Sequence, residues 1–65
     1  MKNNICELRK IYNLTQKELA DKTNVSRQTI IAIEKDKYNP SLKLALKIAK
    51  LLKMLVEDIF ILNDD

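Results

Sequence analysis

Twenty-one residues in the middle of the chain, TQKELADKTNVSRQTIIAIEK from Thr15 to Lys35, have the pattern of two short amphipathic helices joined by a tight turn. Thr15 can cap the first helix. Glu18, three residues later, completes a capping box in which two backbone N–H groups without intrahelical partners are satisfied. That helix therefore starts at Gln16. Leu19 and Ala20 are its apolar residues, Asn24 and Val25 form the connection, Ser26 caps the next helix, and Ile30 and Ile33 stand three apart beyond it. These side chains must face inward, and Ala20 is small where two steeply crossing helices have to approach closely. With Ile30 and Ile33 buried, the opposite face of the second helix carries Arg27, Gln28, Ile31 and Ala32.

The rest of the chain is organised around this pair. Ile5, Leu8, Ile11 and Tyr12 fall on helical spacing and predict a first helix from about Asn3 to Tyr12, ended by Asn13. The helix pair occupies Gln16 to about Lys35, and Asp36 to Pro40 is a loop, because the residue before a proline avoids helical angles and Pro40 has no donor. Ser41 caps a fourth helix. In it Leu42, Ala45, Ile48, Ala49 and Leu52 make an apolar stripe, with Lys43, Lys47 and Lys50 on the wet side. A last short helix is predicted from about Val56 to Phe60, with Glu57 and Asp58 in its first turn where the helix dipole favours negative charge. The expected fold is all-α, five short helices in a single domain spanning residues 1–65. No strand alternation extends beyond what the last residues permit.

Sixty-five residues bury little surface and seldom divide, so one core must suffice. Apolar residues make up 46% and charged residues 32%, spread along the sequence, which argues against a membrane span and against an unfolded charged tract. No apolar run approaches about 18 residues, and the N-terminus lacks the zones of a signal peptide, so the cytoplasm is the expected location. Cys6 is the single cysteine, read as a small helix-surface or half-buried residue; no internal disulfide and no thiolate-only metal site can form. Histidine is absent, which excludes serine–histidine and cysteine–histidine catalysis. Glycine is absent too, so there is no glycine-rich phosphate loop and no dinucleotide fingerprint. The expectation is a non-enzyme with no cofactor and no metal.

Charge is distributed unevenly. All 12 Lys and Arg lie within residues 1–53, whereas the segment from Met54 to Asp65 holds no basic residue and four acidic ones. The basic part contains the helix pair, and a polyanion is its natural partner, with affinity falling as salt rises; on composition alone a solvated lysine-rich surface is the alternative.

Five motifs together carry a resemblance: LTQKELA at Leu14 to Ala20, VSRQTIIAIE at Val25 to Glu34, KYNPSL at Lys37 to Leu42, LALKIAKLL at Leu44 to Leu52, and VEDIF at Val56 to Phe60. Over essentially its whole length the chain resembles the Cro and phage-repressor (XRE-like) type of helix-turn-helix transcription factors, in particular their short dimeric members. The resemblance implies a five-helix lambda-repressor-like domain that binds a double-stranded DNA operator, and an Arg9–Glu34 bridge between the first and third helices. The family often has glycine at the helix ends represented here by Asn13, Asn24, Asp36 and Lys53. Asn and Asp tolerate left-handed backbone angles better than most residues, and Lys53 less so. The serine-like cap that the family places before the last helix is Leu55 here.

The second helix of the pair is the one expected to enter the major groove, its N-terminal residues pointing at base edges. Gln28 offers a donor and an acceptor that match adenine N6 and N7. Arg27 could take guanine O6 and N7 or a neighbouring phosphate, and Ile31 and Ala32 could pack on thymine methyls. Ordinary surface exposure is the alternative for all four, and core or partner burial for Ile31. Backbone anchoring is expected from Gln16, where side chain and N–H groups meet a phosphate at the positive end of the helix dipole. Lys35, Lys37, Tyr38 and Asn39 could line flanking phosphates and Thr29 could add a hydroxyl, unless they form only a polar loop.

Reading a palindrome needs two copies about 34 Å apart, one turn of DNA. Met54, Leu55, Ile59, Ile61 and Leu62 hold more apolar area than a short helix buries in a small core. They are the predicted homodimer contact within a segment spanning residues 54–65, with core packing as the alternative. The expected activity is sequence-specific DNA binding by a regulator, in repressor form, with no membrane and no small-molecule ligand. The competing reading is an antitoxin-like protein-interaction module on the same fold.

Overall fold

The computed structural model describes residues 1–62. In chain order it contains β1 (Lys2–Asn3), α1 (Ile5–Ile11), α2 (Gln16–Thr23), α3 (Arg27–Glu34), α4 (Leu42–Leu52), α5 (Val56–Ile59) and β2 (Phe60–Ile61). Residues 63–65 of the predicted dimer segment lie outside the described residues.

Three of the helices begin where a hydroxyl replaces the missing preceding turn. The Glu18 N–H donates to Thr15 Oγ1 at 3.0 Å while the Thr15 N–H donates to a Glu18 carboxylate oxygen at 2.8 Å, the reciprocal box expected at the start of α2. Ser26 Oγ accepts from Thr29 N–H at 3.2 Å and Ser41 Oγ from Leu44 N–H at 3.2 Å, starting α3 and α4. Each such cap is worth about 1 kcal/mol. Leu55 precedes α5 with extended angles but offers no side-chain hydrogen bond, and that helix is four residues long.

Four helix ends close in one way without glycine. Asn13, Asn24, Asp36 and Lys53 have φ of 57°, 63°, 60° and 56°. At each, the next residue's N–H reaches the carbonyl five positions back: Leu14 to Arg9 at 2.8 Å, Val25 to Ala20 at 3.0 Å, Lys37 to Ala32 at 2.9 Å and Met54 to Ala49 at 3.1 Å. This left-handed closure satisfies carbonyls that a helix end leaves orphaned. A left-handed angle costs roughly 1–2 kcal/mol for an ordinary L-residue, and Asn and Asp bear it best because their short side chains bond locally. Lys53 has no such relief.

Ile5, Leu19, Ile30, Ile33, Ile48, Leu52 and Ile59 are fully buried, with Ala20, Leu44, Ala45, Ala49 and Phe60 completing one cluster. Burying a side chain of this size contributes about 1.5–3 kcal/mol before the entropy of ordering it. Thr23 is buried within the helix pair and donates its hydroxyl to the Leu19 carbonyl at 2.8 Å.

Several boundaries differ from the sequence expectation. The first helix starts at Ile5, not Asn3, because Asn3 pairs antiparallel with Phe60, and Lys2 with Ile61, while Asn3 Oδ1 accepts the Ile5 N–H at 3.1 Å. Ile11 is 70% exposed and Tyr12 lies beyond the last turn of α1, so the inward face of that helix is Ile5 and Leu8 alone. On α4 the inward line includes Leu44, and Leu42 at the first position is 72% exposed. Phe60 leaves α5 for the strand pair, so a two-residue ladder supplements the five helices. No helix among the described residues is long and apolar enough to cross a membrane.

Candidate nucleic-acid interface

The caps and closures set the orientation of α3. Ser26 holds its first turn, Asn24 and Val25 turn the chain back from α2, and Ile30 and Ile33 fix its inner face. Arg27 and Gln28 at its N-terminus are exposed, and Ile31 and Ala32 one turn later are half-buried. The Thr29 hydroxyl is 3.0 Å from Ser26 Oγ, so part of its hydrogen-bonding capacity goes to the cap.

Behind this face lies a chain of polar contacts. Arg9 donates from Nε to Glu34 Oε2 at 2.8 Å and from Nη2 to Oε1 at 3.3 Å, the expected bridge from α1 to α3. Its Nη1 donates to the Leu14 carbonyl at 2.9 Å and its Nη2 lies 3.6 Å from Cys6 Sγ, a half-buried thiol. The hydrogen bond to Glu34 raises the guanidinium above its ordinary value despite the opposing effect of burial. Glu34 Oε1 also accepts from Gln16 Nε2 at 3.1 Å, and Arg27 Nη2 donates weakly to Gln16 Oε1 at 3.4 Å.

The direction of the Gln16 amide follows from this chemistry. A carboxylate only accepts and a guanidinium only donates, so the amide nitrogen must face Glu34 and its oxygen Arg27. One amide N–H of Gln16 is left for an outside acceptor. Beside it runs an open groove of about 770 Å³ whose lining includes Lys10, Asn13, Lys17 and Arg27. Lys17 is held to Asp21 at 3.1 Å, an exposed pair on α2.

On the other side of α3, Lys35, Lys37, Tyr38 and Asn39 are all exposed along the loop towards Pro40. The site residues read from the sequence therefore fall on one helix and its two flanks. The predicted dimer set divides instead. Met54, Leu55, Ile61 and Leu62 are exposed, whereas Ile59 is 0% exposed and packs inside the chain's own core. Sequence reasoning passed over Leu46, which is exposed on α4, the Gln16–Glu34 bond, and the roles of Asn3 and Asn4. Two consecutive asparagines immediately before a helix were the available signal for the last.

An exposed helix tip held by a preceding helix through a left-handed turn, flanked by cations, defines a helix-turn-helix DNA-binding domain. The chain belongs to the helix-turn-helix family HTH_3, which matches residues 6–58. It is 63% identical over 65 residues, all of this chain and 98% of the relative, to an uncharacterized HTH-type transcriptional regulator of Methanocaldococcus jannaschii. An immunity repressor protein of Bacillus phage phi105 is 54% identical over 35 residues, 54% of this chain and 24% of that one. The crystal structure of the restriction-modification controller protein C.AhdI from Aeromonas hydrophila has a TM-score of 0.77 at 30% identity, covering 86% of this chain and 85% of its own. The protein is thus a transcriptional regulator with a helix-turn-helix DNA-binding domain, and these relatives favour DNA binding over a protein-interaction module.

Proposed function

We propose that the protein acts as a repressor that binds a palindromic operator as a homodimer, with no cofactor or small-molecule ligand. The observation that carries the reading is the solvent-facing first turn of α3, with Arg27 and Gln28 exposed beside Gln16 at the N-terminus of α2. Arg27, Gln28, Ile31 and Ala32 read bases in the major groove. Gln16 presents its free amide N–H, and α2 its positive dipole end, to a phosphate. Thr29, Lys35, Lys37, Tyr38 and Asn39 contact phosphates on the other flank.

Dimerisation uses the exposed apolar side chains Met54, Leu55, Ile61 and Leu62, with Ile59 supporting them from the core. The molecule measures 33 × 21 × 20 Å, a size at which two copies side by side can set equivalent helices about 34 Å apart. The stretch of likeness to a phage immunity repressor supports repression as the regulatory sense.

Selection of bound duplexes from a random pool tests this reading. A two-fold symmetric consensus is expected, and Gln28→Ala is expected to cost about 1–3 kcal/mol at one base position of each half-site. Equal binding of selected and random duplexes by the wild type would refute it.

A further inference from the structure

The N-terminal residues are more than the lead-in to α1. Asn3 pairs through its backbone with Phe60 of β2. Its side chain makes three further contacts: Oδ1 accepts the Ile5 N–H at 3.1 Å, and Nδ2 donates to the Ile33 carbonyl at 2.8 Å and to Asp36 Oδ1 at 3.2 Å. Ile33 lies in the last turn of α3 and Asp36 is the left-handed residue that closes it. Asn4 reinforces the same junction from the next position, its N–H donating to the Ile59 carbonyl at 2.9 Å and its Nδ2 to the Asp58 carbonyl at 3.2 Å. One side chain therefore ties the rear of α3 to the strand pair, and the strand pair continues directly into the exposed Ile61 and Leu62.

We propose that Asn3 is a positioning residue for operator recognition, fixing the C-terminal end of α3 to the segment through which two copies meet and so setting the distance between the two reading helices. The inference rests on the homodimer reading above. Its chemistry is specific to an amide. Only Asn combines a short acceptor for the Ile5 N–H with a donor that can serve a carbonyl and a carboxylate at once. An aspartate keeps the acceptor but sets a second negative oxygen against the Ile33 carbonyl and the Asp36 carboxylate, so the tether breaks while the start of α1 is kept. The tether is built of directional bonds at the rear of α3, away from Arg27 and Gln28, so its loss acts on orientation and leaves the base-reading side chains untouched.

The test compares wild type, Asn3→Asp and the double variant Asn3→Asp with Asp36→Asn, in which an amide donor faces the new carboxylate. Each is measured on the selected operator, on operators with one base pair added to or removed from the spacer, and on a duplex holding one half-site. Asn3→Asp is expected to bind the original spacing about tenfold more weakly, to bind the three spacings within about twofold of one another, and to keep the wild-type affinity for the single half-site. The double variant restores the contact to residue 36 but not the one to the Ile33 carbonyl, and is expected to recover part of the spacing preference, with an affinity between those of Asn3→Asp and wild type. Full affinity and an unchanged spacing penalty in Asn3→Asp would overturn the inference, as would an equal loss on the half-site and on every spacing.

Amide resonances supply a readout that does not depend on DNA. Asn3→Asp is expected to shift signals at both residues 33–37 and residues 58–61, and shifts confined to one of the two groups would overturn the tether. A wild type that selects no symmetric site would count against the proposed function, whereas the resonances still judge the tether. Should Asn3→Asp fail to fold, Asn3→Ser, which keeps a hydroxyl acceptor near Ile5 without the reach to Ile33, carries the same expectations.

Discussion

Replacing Glu34 with Ala removes the acceptor for three donors at once: Arg9 Nε at 2.8 Å, Arg9 Nη2 at 3.3 Å and Gln16 Nε2 at 3.1 Å. The Arg9 and Glu34 side chains are 11% and 7% exposed, so water does little to replace what is lost. Breaking a buried pair by deleting one partner costs about 3–5 kcal/mol, because the remaining charge stays desolvated. Arg9 keeps the Leu14 carbonyl at 2.9 Å, which places the loss near the lower end, at about 3 kcal/mol. A domain of this length has about 3–10 kcal/mol of total stability. Glu34→Ala should therefore lower Tm by about 12–24 °C.

Urea unfolding followed by far-ultraviolet circular dichroism measures this directly, with the midpoint expected to fall at unchanged slope. The double variant Arg9→Met with Glu34→Leu separates net stabilisation from the penalty of an orphaned charge. It should recover most of the loss, since apolar residues of similar volume commonly replace a buried pair at little net cost. A Glu34→Ala protein within about 1 kcal/mol of wild type, or a double variant no more stable than Glu34→Ala, would refute the reasoning.

Lys53→Gly should stabilise the protein by about 1 kcal/mol, raising Tm by about 4–8 °C, because it relieves a left-handed angle of 56° at the end of α4 that no local side-chain bond supports. Glu18, whose carboxyl is held below its ordinary 4.5 by hydrogen bonds from Thr15, contributes stability above that value that is lost as pH falls through the lowered one. Glutamine can make the same box at any pH, so the stability of Glu18→Gln should lose this component of acid sensitivity, and the two proteins' unfolding midpoints should change relative to one another below pH 4.5. Lys37→Ala should weaken binding to all duplexes alike and reduce the salt slope by about 1, as measured by fluorescence anisotropy over a salt series. If the proposed homodimer forms through this segment, Ile61→Asp should leave the fold intact and sediment as a monomer where the wild type sediments as a dimer, with a fall in operator affinity.

The parts of the fold legible in the sequence are those governed by local chemistry. Thr15, Ser26 and Ser41 announce their helices because a capping oxygen is needed at that position and nowhere else. Ile30 and Ile33 announce an inner face because three residues on a helix return to the same side. The four left-handed positions were marked by the resemblance, which puts glycine where this chain has Asn13, Asn24, Asp36 and Lys53. What escaped depends on partners far along the chain. Asn3 reads as the first residue of a helix until Phe60 arrives to pair with it. Ile59 and Ile61 are chemically alike and two residues apart, yet one is core and the other surface, because Ile59 ends the inner face of α5 while alternation along β2 turns Phe60 inward and Ile61 outward. Leu42 and Leu44 likewise exchange roles because the first residue of α4 overhangs the core.

The polar chain from Arg9 through Glu34 and Gln16 to Arg27 means that stability and recognition are not separable at every position. Gln16 is held by Glu34 on one side and touches Arg27 on the other, so in the proposed phosphate contact its amide is oriented before DNA arrives and need not be ordered on binding. The same arrangement makes Glu34 a poor reporter of DNA contact, since its removal frees Gln16 and loosens α1 together. Gln28 and Lys37 are exposed and lie outside that chain, so if they contact DNA as proposed, affinity lost on changing them can be assigned to those contacts. A fall in affinity for Glu34→Ala has to be read at a temperature where the variant is fully folded. If it persists there, the loss belongs to the orientation of Gln16 and Arg27; if it vanishes, Glu34 serves the fold alone.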